Sequence, residues 1–372
     1  MLGYKSLLIK NSEHRNDFLY PDWEKLHDLV SEHCTESQYD IAFTELAKEW
    51  LIAMKACLPD EFRIYESGNF FLLCNEEMHI SKNLIHSCER SLKIILEQFA
   101  GVLEDTGYGK HVLIVFKNAE QYNRYTDEFS MSGESPSSGG MCIHNGYTHI
   151  VLPHMFSEET PDDVIAHELT HALLTNYKIP VWLNEALAMR MEDIAAGFDG
   201  LNLNEEIYQK HVKFWNDTTI QDFWSGLLWH IDSIGFELSY DLARIIWKKI
   251  AVDLAATKED IVDLISSVKL DDSGNDAIKR IFDYSLGELV GDFLGDGNWE
   301  PDANYFAENE KSQAESEAWT KDIEPLISID EMTLLESSLS VLKFSPELEQ
   351  TLIKQGVNTC LLYTSPSPRD RG

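Results

Sequence analysis

Three residues of this chain have the types and the spacing for metal chemistry. They lie in His167-Glu168-Leu169-Thr170-His171, an H-E-x-x-H pattern. Residues four apart share a face of an α-helix, so His167 and His171 can offer two imidazoles to one tetrahedral zinc ion. Glu168 follows the first imidazole by one residue, about 100° round the helix at 3.6 residues per turn. That offset takes it out of the ligand pair and lets it reach a water on the metal, whose proton it can take as general base. In a chain of 372 residues with 13 histidines, the pattern arises by chance about 0.08 times. Context therefore decides between a site and a core helix with two hydrogen-bonded histidines.

The context is that of a buried helix. Thr160-Pro161-Asp162-Asp163 reads as an N-cap, a first-turn proline and acids that suit the positive end of the helix dipole. Val164, Ile165, Ala166, Leu169, Ala172, Leu173 and Leu174 make the helix apolar on most sides. Asn176 and Pro180 end it. A catalytic zinc also needs a third protein ligand and an open position.

Downstream, Pro180 to Ala188 reads P-V-W-L-N-E-A-L-A. H-E-L-T-H followed by P-x-W-L-N-E-A-L-A resembles the gluzincin metallopeptidases, in the branch described as peptidase-MA-like. The resemblance implies that Glu185 is the third ligand beside His167 and His171, and that Glu168 is the general base. It implies Zn2+ as cofactor and a peptide or protein as substrate. The apolar neighbours Trp182, Leu183, Ala186 and Leu187 set Glu185 apart from an ordinary exposed helical acid. Glu192 and Asp193 are the other candidates for third ligand. Thermolysin-like enzymes place an acid four residues after the ligand glutamate to orient a zinc-bound histidine. Here that position is Met189, so orientation falls to other groups, with Asn184 and Asp241 as candidates. The G-A-M-E-N motif of zinc aminopeptidases is absent from the sequence, which favours an endopeptidase over an exopeptidase. The alternative function is a catalytically idle metal-binding or regulatory protein on a peptidase scaffold; a purely structural zinc would have no use for Glu168.

The expected fold class is α+β and, by resemblance, zincin-like: a small mixed sheet with an edge strand over the H-E-x-x-H helix, then a mainly helical lower half. Phe62–Ser67 and Asn69–Cys74 read as strands about a Ser-Gly turn, and His111–Phe116 as a central strand. Lys82–Ala100 is an amphipathic helix, Ala119–Tyr125 a brief one and Ser130–Gly140 a flexible loop. Met141–His144 and Thr148–Pro153 form a hairpin about Asn145-Gly146. By resemblance, Gly139–Pro153 is the substrate wall, pairing with an extended peptide. His144 and His149 lack ligand spacing and read as structural. Phe236–Ile250 is a helix; the family has a tyrosine-bearing helix that returns to the cleft, which makes Tyr240, and in the same role His230, candidates to stabilise the oxyanion.

Residues 1–60 read as an N-terminal helical segment, 61–297 as the metallopeptidase domain and 298–325 as an acidic linker. Glu300 to Pro325 carries eight acids against two lysines, the balance of a solvated stretch. Residues 326–359 form a truncated helical segment. Within it, Leu339–Thr359 loosely resembles the opening of the helical C-terminal domain of the RNA polymerase α subunit. Cys360–Gly372 reads as a translated sequencing adapter rather than native protein.

A net charge of −34 excludes nucleic-acid binding through a broad basic surface and repels anionic membranes. Neither a signal peptide nor a transmembrane run is expected. Cys34, Cys57, Cys74, Cys88 and Cys142 form no C-x-x-C pair and read as reduced thiols of a cytoplasmic protein. The sequence dictates no oligomeric state.

Overall fold

Three strands that are almost wholly apolar divide the fold into two cores. In the computed structural model, which describes residues 3–105, 107–129, 139–153, 161–198, 200–201, 203–230 and 234–306, they belong to one five-stranded mixed sheet. Its strands are β3 (Arg63–Glu66), β4 (Phe70–Cys74), β5 (His111–Val115), β6 (Met141–Ile143) and β7 (His149–Leu152), in the order β3-β4-β5-β7-β6. β4, β5 and β7 run parallel, while β3 and β6 close the two edges antiparallel. β1 and β2 form a separate hairpin described below.

Side chains alternate across a strand. Phe70, Leu72, Cys74, Leu113, Val115, Ile150 and Leu152 therefore face one core, and Phe71, Leu73, Val112, Ile114 and Val151 face the other. Because both faces are covered, these strands read as nearly unbroken apolar runs. The expected strands, the central position of His111–Phe116 and the hairpin about Asn145-Gly146 all match this sheet. Gly146 sits at φ +74°, and an added Cβ there would lie 2.5 Å from Cβ of Trp23. Only glycine meets both conditions. Residues 130–138 of the expected flexible loop lie outside the described residues.

One core is built from the N-terminal layer: α1 (Tyr4–Lys10), α2 (Trp23–His33), α3 (Tyr39–Ala56) and α5 (Ala119–Thr126). Residues 1–60 are not wholly helical as expected, because β1 (Ser12–Arg15) and β2 (Phe18–Pro21) form an antiparallel hairpin within them. Its two-residue turn, Asn16-Asp17, takes φ +48° and +66°, the left-handed pair of a type I′ turn. All four residues of β2 are buried, while β1 is largely exposed.

The other core carries α4 (Met78–Gln98), α6 (Asp162–Leu174) and α7 (Val181–Ala196) against the sheet. Beyond them come α8 (Glu205–Phe214), α9 (Thr219–Trp224), α10 (Ile234–Lys248), α11 (Lys258–Ser267), α12 (Asn275–Phe282) and α13 (Leu286–Leu294). Residues 1–306 cluster as one unit and 307–372 as another. The described start of the expected acidic linker is docked rather than solvated. Trp224 Nε1 donates to the Trp299 carbonyl at 2.9 Å, and Gln221 Nε2 to the Glu300 carbonyl at 2.8 Å. Residues 307–372, including most of that linker, the helical segment and the adapter-like end, lie outside the described residues. Among the described residues, no helix is long and apolar enough to cross a membrane, and all five cysteines are free thiols.

Candidate metal centre

α6 carries H-E-x-x-H and is set on the sheet by its apolar side. Ile165, Ala166, Leu169, Thr170, Leu173 and Leu174 are buried. Its first-turn Asp162 accepts hydrogen bonds from Ser87 and Arg90 of α4, which fixes the start of the helix. Thr160, the expected N-cap, lies outside the described residues. α7 follows Pro180, whose fixed φ suits a helix entry. It is anchored by buried Trp182, whose Nε1 donates to the Ser273 carbonyl at 2.9 Å. Gly197 closes α7 in the left-handed conformation. α6 and α7 pack closely together, and the packing brings His167, His171 and Glu185 together.

His167 Nε2 lies 3.1 Å from His171 Nε2, and Glu185 Oε2 lies 3.5 and 3.6 Å from those two nitrogens. Three donors of a tetrahedral zinc with bonds of about 2.0–2.1 Å stand about 3.3 Å apart, so this triangle has the size of a zinc face. The remaining ring nitrogens are committed elsewhere. His167 Nδ1 lies 3.1 Å from Glu192 Oε2, and His171 Nδ1 lies 2.8 Å from Asn184 Oδ1. Both partners are acceptors, so each neutral ring carries its proton on Nδ1 and turns the Nε2 lone pair inward. Two lone pairs and a carboxylate oxygen facing one point repel unless a cation lies between them. Glu185 Oε2 is buried without a hydrogen-bond partner among the protein atoms, an orphan of the kind a metal satisfies. The residues fit the ion.

The electrostatics follow from this crowding. Burial disfavours charge on His167, but the adjacent carboxylates of Glu185 and Glu192 outweigh it and raise the imidazole to about 10. Burial likewise opposes charge on Glu185, yet the two imidazoles hold its carboxyl well below the usual range. For Glu168 burial wins: its pKa is raised, and the neighbouring imidazoles only partly offset that. Glu168 is 7% exposed, and the backbone of Cys142 on β6 partly offsets the effect of its burial. Gly140 lies close against it, since a Cβ there would lie 3.2 Å from Glu168 Cγ and 2.5 Å from a methyl of Leu152.

The side chains of His167, Glu185 and His171 keep 15–18% of their surface exposed. Among the described residues no fourth histidine, cysteine or acid joins the three. Three donors with an accessible side would leave a bound metal an open position.

The other expected residues divide. Asn184 does stand behind His171, but Asp241 pairs instead with His211 at 3.6 Å and has no part in the centre. Glu192 is not a third ligand; it lies behind His167. Asp193 faces Arg244 at 3.3 Å and accepts the Gly200 N–H. Tyr240 on α10 packs edge-on against Trp229 and Phe236. Its phenol is raised by burial and then by the charges of Glu185, Glu168 and Glu192, and its helix packs against α7. The His230 side chain lies outside the described residues. His144 bonds Thr148 Oγ1, and His149 is sealed between Tyr125 and the Tyr147 carbonyl, so neither reaches the centre. Sequence reasoning missed the roles of Glu192 and Arg244. The available signal was spacing: Glu192 is seven residues past Glu185, two turns along the same face.

Compared with known proteins, the chain matches no protein-family profile and no curated sequence.

Proposed function

We propose that this chain is a zinc-dependent peptidase of the gluzincin type, acting as an endopeptidase on extended peptide or protein substrates. The observation that carries the reading is the convergence of His167 Nε2, His171 Nε2 and Glu185 Oε2 beside a buried, proton-seeking Glu168. Zinc held by the three ligands would supply Lewis-acid activation of water and of the scissile carbonyl at near-neutral pH.

The chain's own groups do the rest. Glu168 accepts the proton of the attacking water and returns it to the leaving amine; its burial lifts the carboxyl toward the basicity such a shuttle needs. β6, the edge strand of the described sheet, lies along α6 and offers backbone groups to an extended substrate. Tyr240 stays protonated, and its hydroxyl donates to the oxyanion that forms at the carbonyl. The mixed sheet with its antiparallel edge over a two-helix cradle supports a zincin-like assignment. Free thiols throughout the described residues support a reducing, cytoplasmic setting.

The test is zinc analysis together with digestion of a peptide library. Wild type and Glu168→Gln should both bind one zinc, and the variant should lose at least about 100-fold in kcat. Zinc binding with equal turnover in the two would refute the peptidase reading and leave the idle metal-binding alternative.

A further inference from the structure

We infer that Glu192, locked in place by Arg244, is the positioning residue for the ligand His167, and that it makes His167 the stronger of the two imidazole donors. The inference rests on the zinc reading above and extends it to residues outside the ligand triangle.

Met189, four residues past Glu185, is buried and has no carboxylate to offer an imidazole N–H. One turn further on, Glu192 has one: its Oε2 lies 3.1 Å from His167 Nδ1. The longer glutamate side chain is 35% exposed, free to swing into water if it stood alone. Arg244 of α10 prevents this. Its Nη2 lies 3.5 Å from Glu192 Oε1, on the side away from the histidine, and 3.3 Å from Asp193 Oδ1. The Arg244 side chain is itself mostly buried, at 15% exposure. Asp193 is fixed in turn by the Gly200 N–H at 3.0 Å, and Gly200 lies against the guanidinium where a side chain would collide. A chain of contacts therefore runs from Gly200 through Asp193, Arg244 and Glu192 to His167.

The two imidazoles are consequently unequal. His171 Nδ1 faces the neutral amide of Asn184, while His167 Nδ1 faces a carboxylate. A carboxylate behind an imidazole raises its basicity as a ligand and fixes the ring, and removing such a partner costs about 10–100-fold in metal affinity. The neutral amide fixes the ring without adding basicity.

The experiment is a zinc titration of the full chain by chelator competition, on wild type, Glu192→Ala, Glu192→Gln, Arg244→Met and Asn184→Ala. Thermal melts of the metal-free proteins accompany it. Glu192→Ala should weaken zinc binding by about 10–100-fold, and more than Asn184→Ala does. Glu192→Gln, which keeps an acceptor but no charge, should lie between Glu192→Ala and wild type with an unchanged metal-free melting temperature. Arg244→Met should weaken zinc binding less than Glu192→Ala. If Glu192→Ala does not fold, the near-isosteric Glu192→Gln decides alone. Zinc affinity in the folded Glu192 variants within about two-fold of wild type overturns the inference and leaves the zinc reading standing. Failure of wild type to bind zinc overturns both.

Discussion

Acid should loosen this protein through a residue remote from the metal centre. His149 opens β7 and is sealed in the N-terminal core, 3% exposed. Its Nδ1–H donates to the Tyr147 carbonyl at 3.0 Å, its Nε2 accepts from the Tyr125 hydroxyl at 2.8 Å, and the Trp50 ring stands 5.0 Å away. Nothing there balances a second proton, and burial pushes the imidazole from 6.5 down to about 4. The unfolded chain takes up that proton near pH 6.5 and the folded chain only near pH 4, so stability falls as pH drops through this window. At about 1.4 kcal/mol per pK unit the loss approaches about 3 kcal/mol, of which about 2 kcal/mol falls between pH 7 and pH 5. His149→Gln keeps a donor and an acceptor but cannot titrate. Denaturant unfolding of both proteins at pH 7 and pH 5 isolates the residue, because every other ionisable group is common to the pair. Wild type should lose about 2 kcal/mol more than the variant over that interval. Equal losses would show that His149 is protonated in the folded state and refute the argument.

Three further outcomes follow from the geometry. Gly140→Ala places a Cβ 2.5 Å from Leu152 and 3.2 Å from Glu168; it should cost about 1–3 kcal/mol in stability by overpacking and lower kcat, as read by thermal melts and peptide turnover. Tyr240→Phe keeps the ring contacts and removes only the hydroxyl, so kcat should fall about 100-fold or more while zinc affinity stays unchanged. Zinc at about 100 times its Kd should raise unfolding free energy by about 2.7 kcal/mol, and Glu185→Gln should abolish most of that gain, measured by melting with and without metal.

The sequence disclosed what depends on local spacing. His167 and His171 share a helical face because they are four apart, and β5 was legible because a strand buried on both sides has almost no polar positions. The hairpin at 12–21 was hidden for the converse reason. Its buried strand Phe18–Pro21 alternates with nothing, its partner is polar, and Asn16-Asp17 lacks the glycine that usually marks such a turn. Arg244 was illegible because its meaning depends on α10 returning to α7 across 37 intervening residues, a tertiary event no local pattern encodes.

The docking of Trp299 to Phe306 alters where this protein can be trimmed. Asp302 donates its backbone N–H to Gln221, the Glu300 carboxylate accepts from Asn275, and the Phe306 ring is buried. A boundary drawn at residue 297, where composition turns acidic, would strip those partners from α9 and α12 and open the floor beneath α7. A chain ending just after Phe306 keeps them, so a turn to acidic composition does not by itself mark a segment as undocked.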